Sequence, residues 1–213
     1  MTHCKVYKLS HSSSSLRFRF VLQFLLLIIL TPVAGYCDVS GSSLVQGARE
    51  QIGITVGYDP TYRSLSYPGG DVPSSTGVCT DVIIRAYRKV GVDLQKLVHE
   101  DMKANFSAYP SKRIWGLTTT DKNIDHRRVP NLQVFFSRKG RSLPVSRALS
   151  EALPGDIFTW DLPSGVPHIG IVSNKRSSDG SRPLVIHNIG SGAQEEDAAA
   201  EFRITGWYRY LLN

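Results

Sequence analysis

The hydrophobic period of the chain changes once, near residue 154, and that change limits the fold more than any other feature. Downstream, "GDIFTW", "HIGIVS", "LVIHNI" and "RITGWYRY" are short runs rich in Ile, Val and aromatic residues, parted by Pro, Gly and Ser clusters, as β-strands are. Upstream, apolar residues recur at helical spacing. Leu44, Val45, Ala48 and Ile52 form one stripe closed by Gly53, and Val82, Ile83, Ala86, Tyr87 and Val90 form another closed by Gly91. Asp93 reads as the N-cap of a third helix carrying Leu94, Leu97, Val98 and Met102, and Leu132, Phe135 and Phe136 mark a shorter one ending near Gly140. Helices followed by an antiparallel sheet give an α+β order. The Pro-, Gly- and Tyr-rich stretch 58–77 has no period and reads as a long ordered loop, a common site of function.

Basic residues ending at Arg19 precede an apolar run from Phe20 to Leu30, and small residues follow in Thr31-Pro32-Val33-Ala34-Gly35. That is the order of a secretory signal. We expect cleavage close to Gly35, a periplasmic or secreted protein, and one domain over residues 36–213, touching the membrane only through its signal. The run of 11 residues falls short of the roughly 20 that span a bilayer. Lys5, Lys8, Arg17 and Arg19 supply four of the net +7, so +3 remains for the rest and no nucleic-acid partner is expected. Of three cysteines, Cys4 leaves with the signal and Cys37 sits at the new N-terminus. Cys79 is then the one thiol inside the folded region, which excludes a disulfide scaffold; in an oxidising compartment a chemical use is more expected of it than of a cytosolic cysteine, and weighs equally with a small apolar filler until its neighbours are considered.

Cys79 falls where the Gly-rich loop becomes a helix, and the free N–H groups and dipole of a helix start favour a thiolate. A base must come from elsewhere. His168 begins "HIGIVS" and His187 lies in "LVIHN", on consecutive strand runs that can become neighbours across a hairpin. This assigns His168 as the base and His187 as the residue that holds its ring tautomer. Each histidine alone fits a satisfied buried side chain better than a catalytic one; the three together reverse that and point to nucleophilic catalysis, which requires no metal or other cofactor.

The order of a Cys at a helix start, "PGD" leading a strand, "HIGIV", and a strand with a polar residue resembles the NlpC-type cell-wall cysteine peptidases, a papain-like superfamily. "YDPTY", "GVCTD", "LVHEDM", "NIDHRRVPNL", "PHIGIVS" and "HNIGSGAQEED" resemble a YijF-like bacterial family within it, over about residues 44–210. The resemblance implies a papain-like fold, with N-terminal helices packed on a C-terminal antiparallel sheet and a helical insertion at about 99–150. It also implies a peptidase or amidase acting on peptidoglycan peptides, with Cys79 as nucleophile, His168 as base and His187 as the third polar residue. The superfamily's "DCSG" is "VCTD" here. A Tyr upstream of the Cys can help bind the oxyanion in that superfamily; Tyr67 is the candidate, with Tyr58 and Tyr62 competing.

Arg127 and Arg128 can grip a substrate carboxylate through their planar donors or close an ion-pair knot with Asp125 or Glu100. Asp156 reads as a turn residue and the acidic run 194–197 as a solvated loop. Trp115, Trp160 and Trp207 read as core. Two other functions compete: a zinc hydrolase using His126, His168, His187 and Cys79, for which no HxxxH or CxxC pair exists, and a wall-binding or regulatory module without turnover.

Overall fold

The computed structural model describes residues 40–211; the signal segment, its cleavage point, Cys4 and Cys37 lie outside them. Helix α1 (Gly41–Arg49) is capped by Ser40, whose hydroxyl accepts from the Ser43 N–H at 3.4 Å. It ends before Ile52 because the N–H groups of Ile54 and Thr55 turn back onto the Gln51 carbonyl. Two short parallel strands, β1 (Gly57–Tyr58) and β2 (Thr76–Gly77), pinch the loop between them at its base. Then come α2 (Cys79–Lys89), α3 (Leu94–Ala104), α4 (Ser111–Trp115) and α5 (Val129–Lys139). Asp93 caps α3 as the sequence suggests, accepting from the N–H groups of Gln95 and Lys96.

The strands that follow are β3 (Arg141–Leu143), β4 (Ile157–Asp161), β5 (Pro167–Arg176), β6 (Pro183–His187), β7 (Gln194–Glu196) and β8 (Arg203–Arg209). They form one antiparallel sheet in the order β3-β8-β4-β5-β6-β7. Helices and an antiparallel sheet therefore occur in the order their periodicities imply.

Alternation along the strands splits the core in two. Ile157, Ile169, Ile171 and Ile186 face Val82, Ile83, Ala86 and Tyr87 of α2, whereas Phe158, Trp160, Val172, Val185 and Trp207 pack on the opposite face. Each such side chain contributes roughly 1.5–3 kcal/mol by leaving water. The stretch 99–150 is not an appendage. Its α5 sends Leu132, Phe135 and Phe136 into the helix-side core, and its β3 joins the sheet beside β8. Asp156 is buried at the head of β4, where it accepts from the Leu153 N–H, the Trp207 indole and the Arg209 guanidinium, so it is a structural anchor.

Candidate active site

Cys79 is the first residue of α2, at 4% exposure. Val78 precedes it as N-cap without a capping side chain, and Asp81 does that work from within the helix by accepting the Val78 N–H at 2.6 Å. The thiol accepts from the backbone N–H of Ile169. That N–H is free for a reason of register. Val172 N–H is given to Asp156 on the β4 side, so alternation turns the N–H of Ile169 toward β6, and β6 pairs with β5 only from Ile171 onward. The sulfur thus occupies the gap at the end of β6, against the peptide that joins His168 to Ile169.

The two histidines meet at the same strand ends. His168 and His187 lie on one face of β5 and β6, and His168 Nε2 is 2.8 Å from His187 Nδ1. Gly170 makes the approach possible, since a Cβ there would stand 2.5 Å from Val185 Cγ1 and 3.2 Å from His187 Cβ. Trp160, opposite His168 in register, lays its ring 5.9 Å from the His168 ring and shields it from water. On the far side, His187 Nε2 is 2.9 Å from Glu196 Oε2. Among the described residues no hydrogen bond joins Cys79 to either imidazole.

Burial sets the resting charges. It pushes the Cys79 thiol up to about 12, although the N–H groups of Ile169 and of the helix start pull the other way. The thiolate expected at a helix start is therefore overridden by desolvation. Burial, and then the neighbouring His187, push His168 down to about 3. At rest the Cys79 thiol and the His168 imidazole are both neutral.

Other expected residues are dispersed. Tyr67 does not reach the thiol; its ring packs edge-on against His99 at 5.2 Å. Tyr58 takes the place instead, donating its hydroxyl to Cys79, and burial followed by the nearby Cys79 and Asp81 push that phenol up to about 12. Tyr62 bonds Asp121 and Asn123. Arg127 is buried in a pair with Asp81 and holds no exposed donor for a substrate. Arg128 is held by Asp125 at 3.2 Å and stacked over Trp115 at 4.3 Å, leaving its Nε and Nη2 without a partner among the described residues. Trp115 is accordingly a wall of the site, whereas Trp160 and Trp207 are core.

Tyr58, Pro60, Cys79, Trp115, Arg128 and Pro167 line a cleft of about 200 Å³. A wider groove of about 1310 Å³, along residues 106–113 and α5, shares only Pro130 with it and holds none of the reactive groups. Among the described residues no cluster of three or more metal-ligating side chains is gathered, and His126 is buried in the turn before α5, where burial pushes it down to about 3.

Two residues escaped the sequence reading. Asn188, fully buried, donates to the carbonyls of Gly57 and Gly77 at 3.2 and 3.0 Å, tying the end of β6 to the strand pair that precedes Cys79. Glu196 lies in β7, so the acidic run is a strand and not a solvated loop. Its signal was present: "GSG" at 190–192, just ahead of the run, is turn chemistry between two strands.

A chain with this constellation is at home in one family. It belongs to the family described as a domain of unknown function (DUF1287), whose model matches residues 45–210. It is 56% identical over 170 residues to the "Uncharacterized protein YijF" of Escherichia coli (strain K12), covering 80% of this chain and 82% of that protein. Among solved structures, the crystal structure of the NlpC/p60 domain of the peptidoglycan hydrolase SagA is similar with a TM-score of 0.40 and 17% identity, over 80% of this chain and 99% of that one.

Proposed function

We propose that this protein is an exported cysteine hydrolase of papain-like NlpC type that cleaves amide bonds in peptidoglycan peptides. The observation that carries the chemistry is the 2.8 Å contact between His168 and His187 at the strand end where the Cys79 sulfur lies. The wall substrate rests on the motif resemblance and on the secretory signal, and Arg128 beside the cleft suits the carboxylates that such peptides carry.

As the sulfur attacks the scissile carbonyl carbon, its proton passes to Nδ1 of His168, whose Nε2 is engaged by His187. The oxyanion is met by the Cys79 N–H and the Tyr58 hydroxyl. His168 returns the proton to the departing amine, and water then hydrolyses the thioester to free acid and thiol. Starting from a neutral pair, the proton moves only when a substrate is in place.

Purified peptidoglycan digested with the mature protein, its N-terminus located by sequencing, should yield paired new amine and carboxyl ends at one amide by mass spectrometry, unchanged by EDTA. Loss of product with EDTA makes it a metal hydrolase. A second reading, a wall-binding module, is favoured by the buried, unionised thiol; retention on peptidoglycan without any product selects it.

Within the enzyme reading the two histidines should rank. His168→Ala removes the proton carrier of both steps and should lower kcat by about a hundredfold or more. His187→Ala should cost less, and His187→Asn or His187→Gln should recover part of the rate. The reverse ranking makes His187 the base.

A further inference from the structure

We propose that Glu196 is a positioning residue that fixes where the protons sit along His187 and His168, so that Nδ1 of His168 is left bare as the base. The inference rests on the reading of His168 as base but is decided by a separate observable.

The argument follows the hydrogen-bond directions. A carboxylate accepts and does not donate, so the 2.9 Å contact between Glu196 Oε2 and His187 Nε2 requires the proton on that nitrogen. A neutral His187 is then bare at Nδ1. The 2.8 Å contact from Nδ1 to His168 Nε2 in turn requires a proton on the latter, and a neutral His168 is bare at Nδ1. One acceptor at the end of the series thus determines both tautomers. Without it, His187 can carry its proton on Nδ1 and bond His168 Nε2 as donor, which moves the proton of His168 to Nδ1 and removes the base.

The neighbouring acids do not supply this acceptor. Glu195 turns to the opposite face of the sheet, toward Arg49, Lys175 and Ser173, and Asp197 pairs with Arg182. The alternation of β7 puts Glu196 and Gln194, the latter opposite His187 in register, on the His187 face, and it is Glu196 whose carboxylate meets His187 Nε2. The His187 side chain is 2% exposed whereas Glu196 is 43% exposed, so the carboxylate closes the buried pair at the rim.

The test is two-dimensional ¹⁵N–¹H correlation of histidine ring signals in the mature chain at neutral pH, assigned with His187→Gln. Wild type should show both rings protonated on Nε2. Glu196→Ala should give His187 a substantial Nδ1–H population and lower kcat about tenfold with KM unchanged, a fraction of what loss of the base itself costs. Glu196→Gln, whose amide oxygen still accepts, should return both the spectrum and most of kcat. A wild-type His187 protonated on Nδ1, or an unchanged spectrum in Glu196→Ala with melting temperature retained, overturns the proposal. Wild-type protein that shows the expected tautomers but cleaves no amide leaves Glu196 in place and sinks the hydrolase reading instead.

Discussion

Cys79→Ala should remove hydrolysis altogether and leave a folded protein. The substitution deletes one sulfur at the first position of α2, where Ala is a good helix residue. What the fold loses is a small buried volume and the acceptor for the Ile169 N–H, together about 1–2 kcal/mol. A thermal melt by circular dichroism beside the peptidoglycan digest checks both halves. Cys79→Ser keeps an acceptor for Ile169 and should be the more stable of the two, yet equally inactive. The neutral resting thiol adds a second readout: with its pKa pushed up to about 12, alkylation of the free protein by iodoacetamide should be slow at neutral pH and climb steadily in alkali. A plateau reached near neutrality would mean that the thiolate is preformed. An Ala variant that unfolds while the remaining folded fraction keeps its activity would make Cys79 a core residue and end the proposed mechanism.

What could be read from the sequence and what could not divide along physical lines. Helices and strands were legible because burial imposes a period, and so was the helix start at Cys79, where a loop of Gly and Pro meets an apolar stripe. The meeting of His168 and His187 was legible because a hairpin brings consecutive strands together. The choice among tyrosines was not. The loop between β1 and β2 has no period, so nothing in its spelling says that Tyr58, paired in β1, stays beside the thiol while Tyr67 is carried off to α3. The burial of Cys79 was hidden for a related reason: a helix start is visible in one dimension, but the depth of its burial depends on chain segments far away. Glu196 was hidden by composition, since an acidic run reads as solvated until a turn is seen to fold it onto β6.

The strongest effect on stability should come from Arg127, whose charge looked available for a substrate. Its Nε and Nη2 each lie 2.9 Å from an Asp81 oxygen, 46 residues away in sequence, and the two side chains are 2% and 3% exposed. The same guanidinium reaches the carbonyls of Thr61 and Asp59 at 3.4 and 3.3 Å. Asp81 in turn holds the Val78 N–H, so one buried pair fastens the loop after Tyr58 to the helix start that carries Cys79. Arg127→Ala leaves the Asp81 carboxylate buried without its partner, and breaking such a pair costs about 3–5 kcal/mol. Arg127→Lys keeps the charge but loses the two-pronged geometry and should fall between. In the Arg127→Ala, Asp81→Ala double variant no charge is stranded, so its loss of stability should be well below the sum of the two single losses. Urea unfolding of the four proteins measures this directly. A substrate-gripping arginine behaves otherwise: its removal raises KM and leaves the unfolding midpoint where it was. That outcome would return the Arg127 side chain to the substrate and leave the start of α2 anchored by the Asn188 contacts, the Val78 to Asp81 bond and the Thr80 hydroxyl on the Arg127 carbonyl.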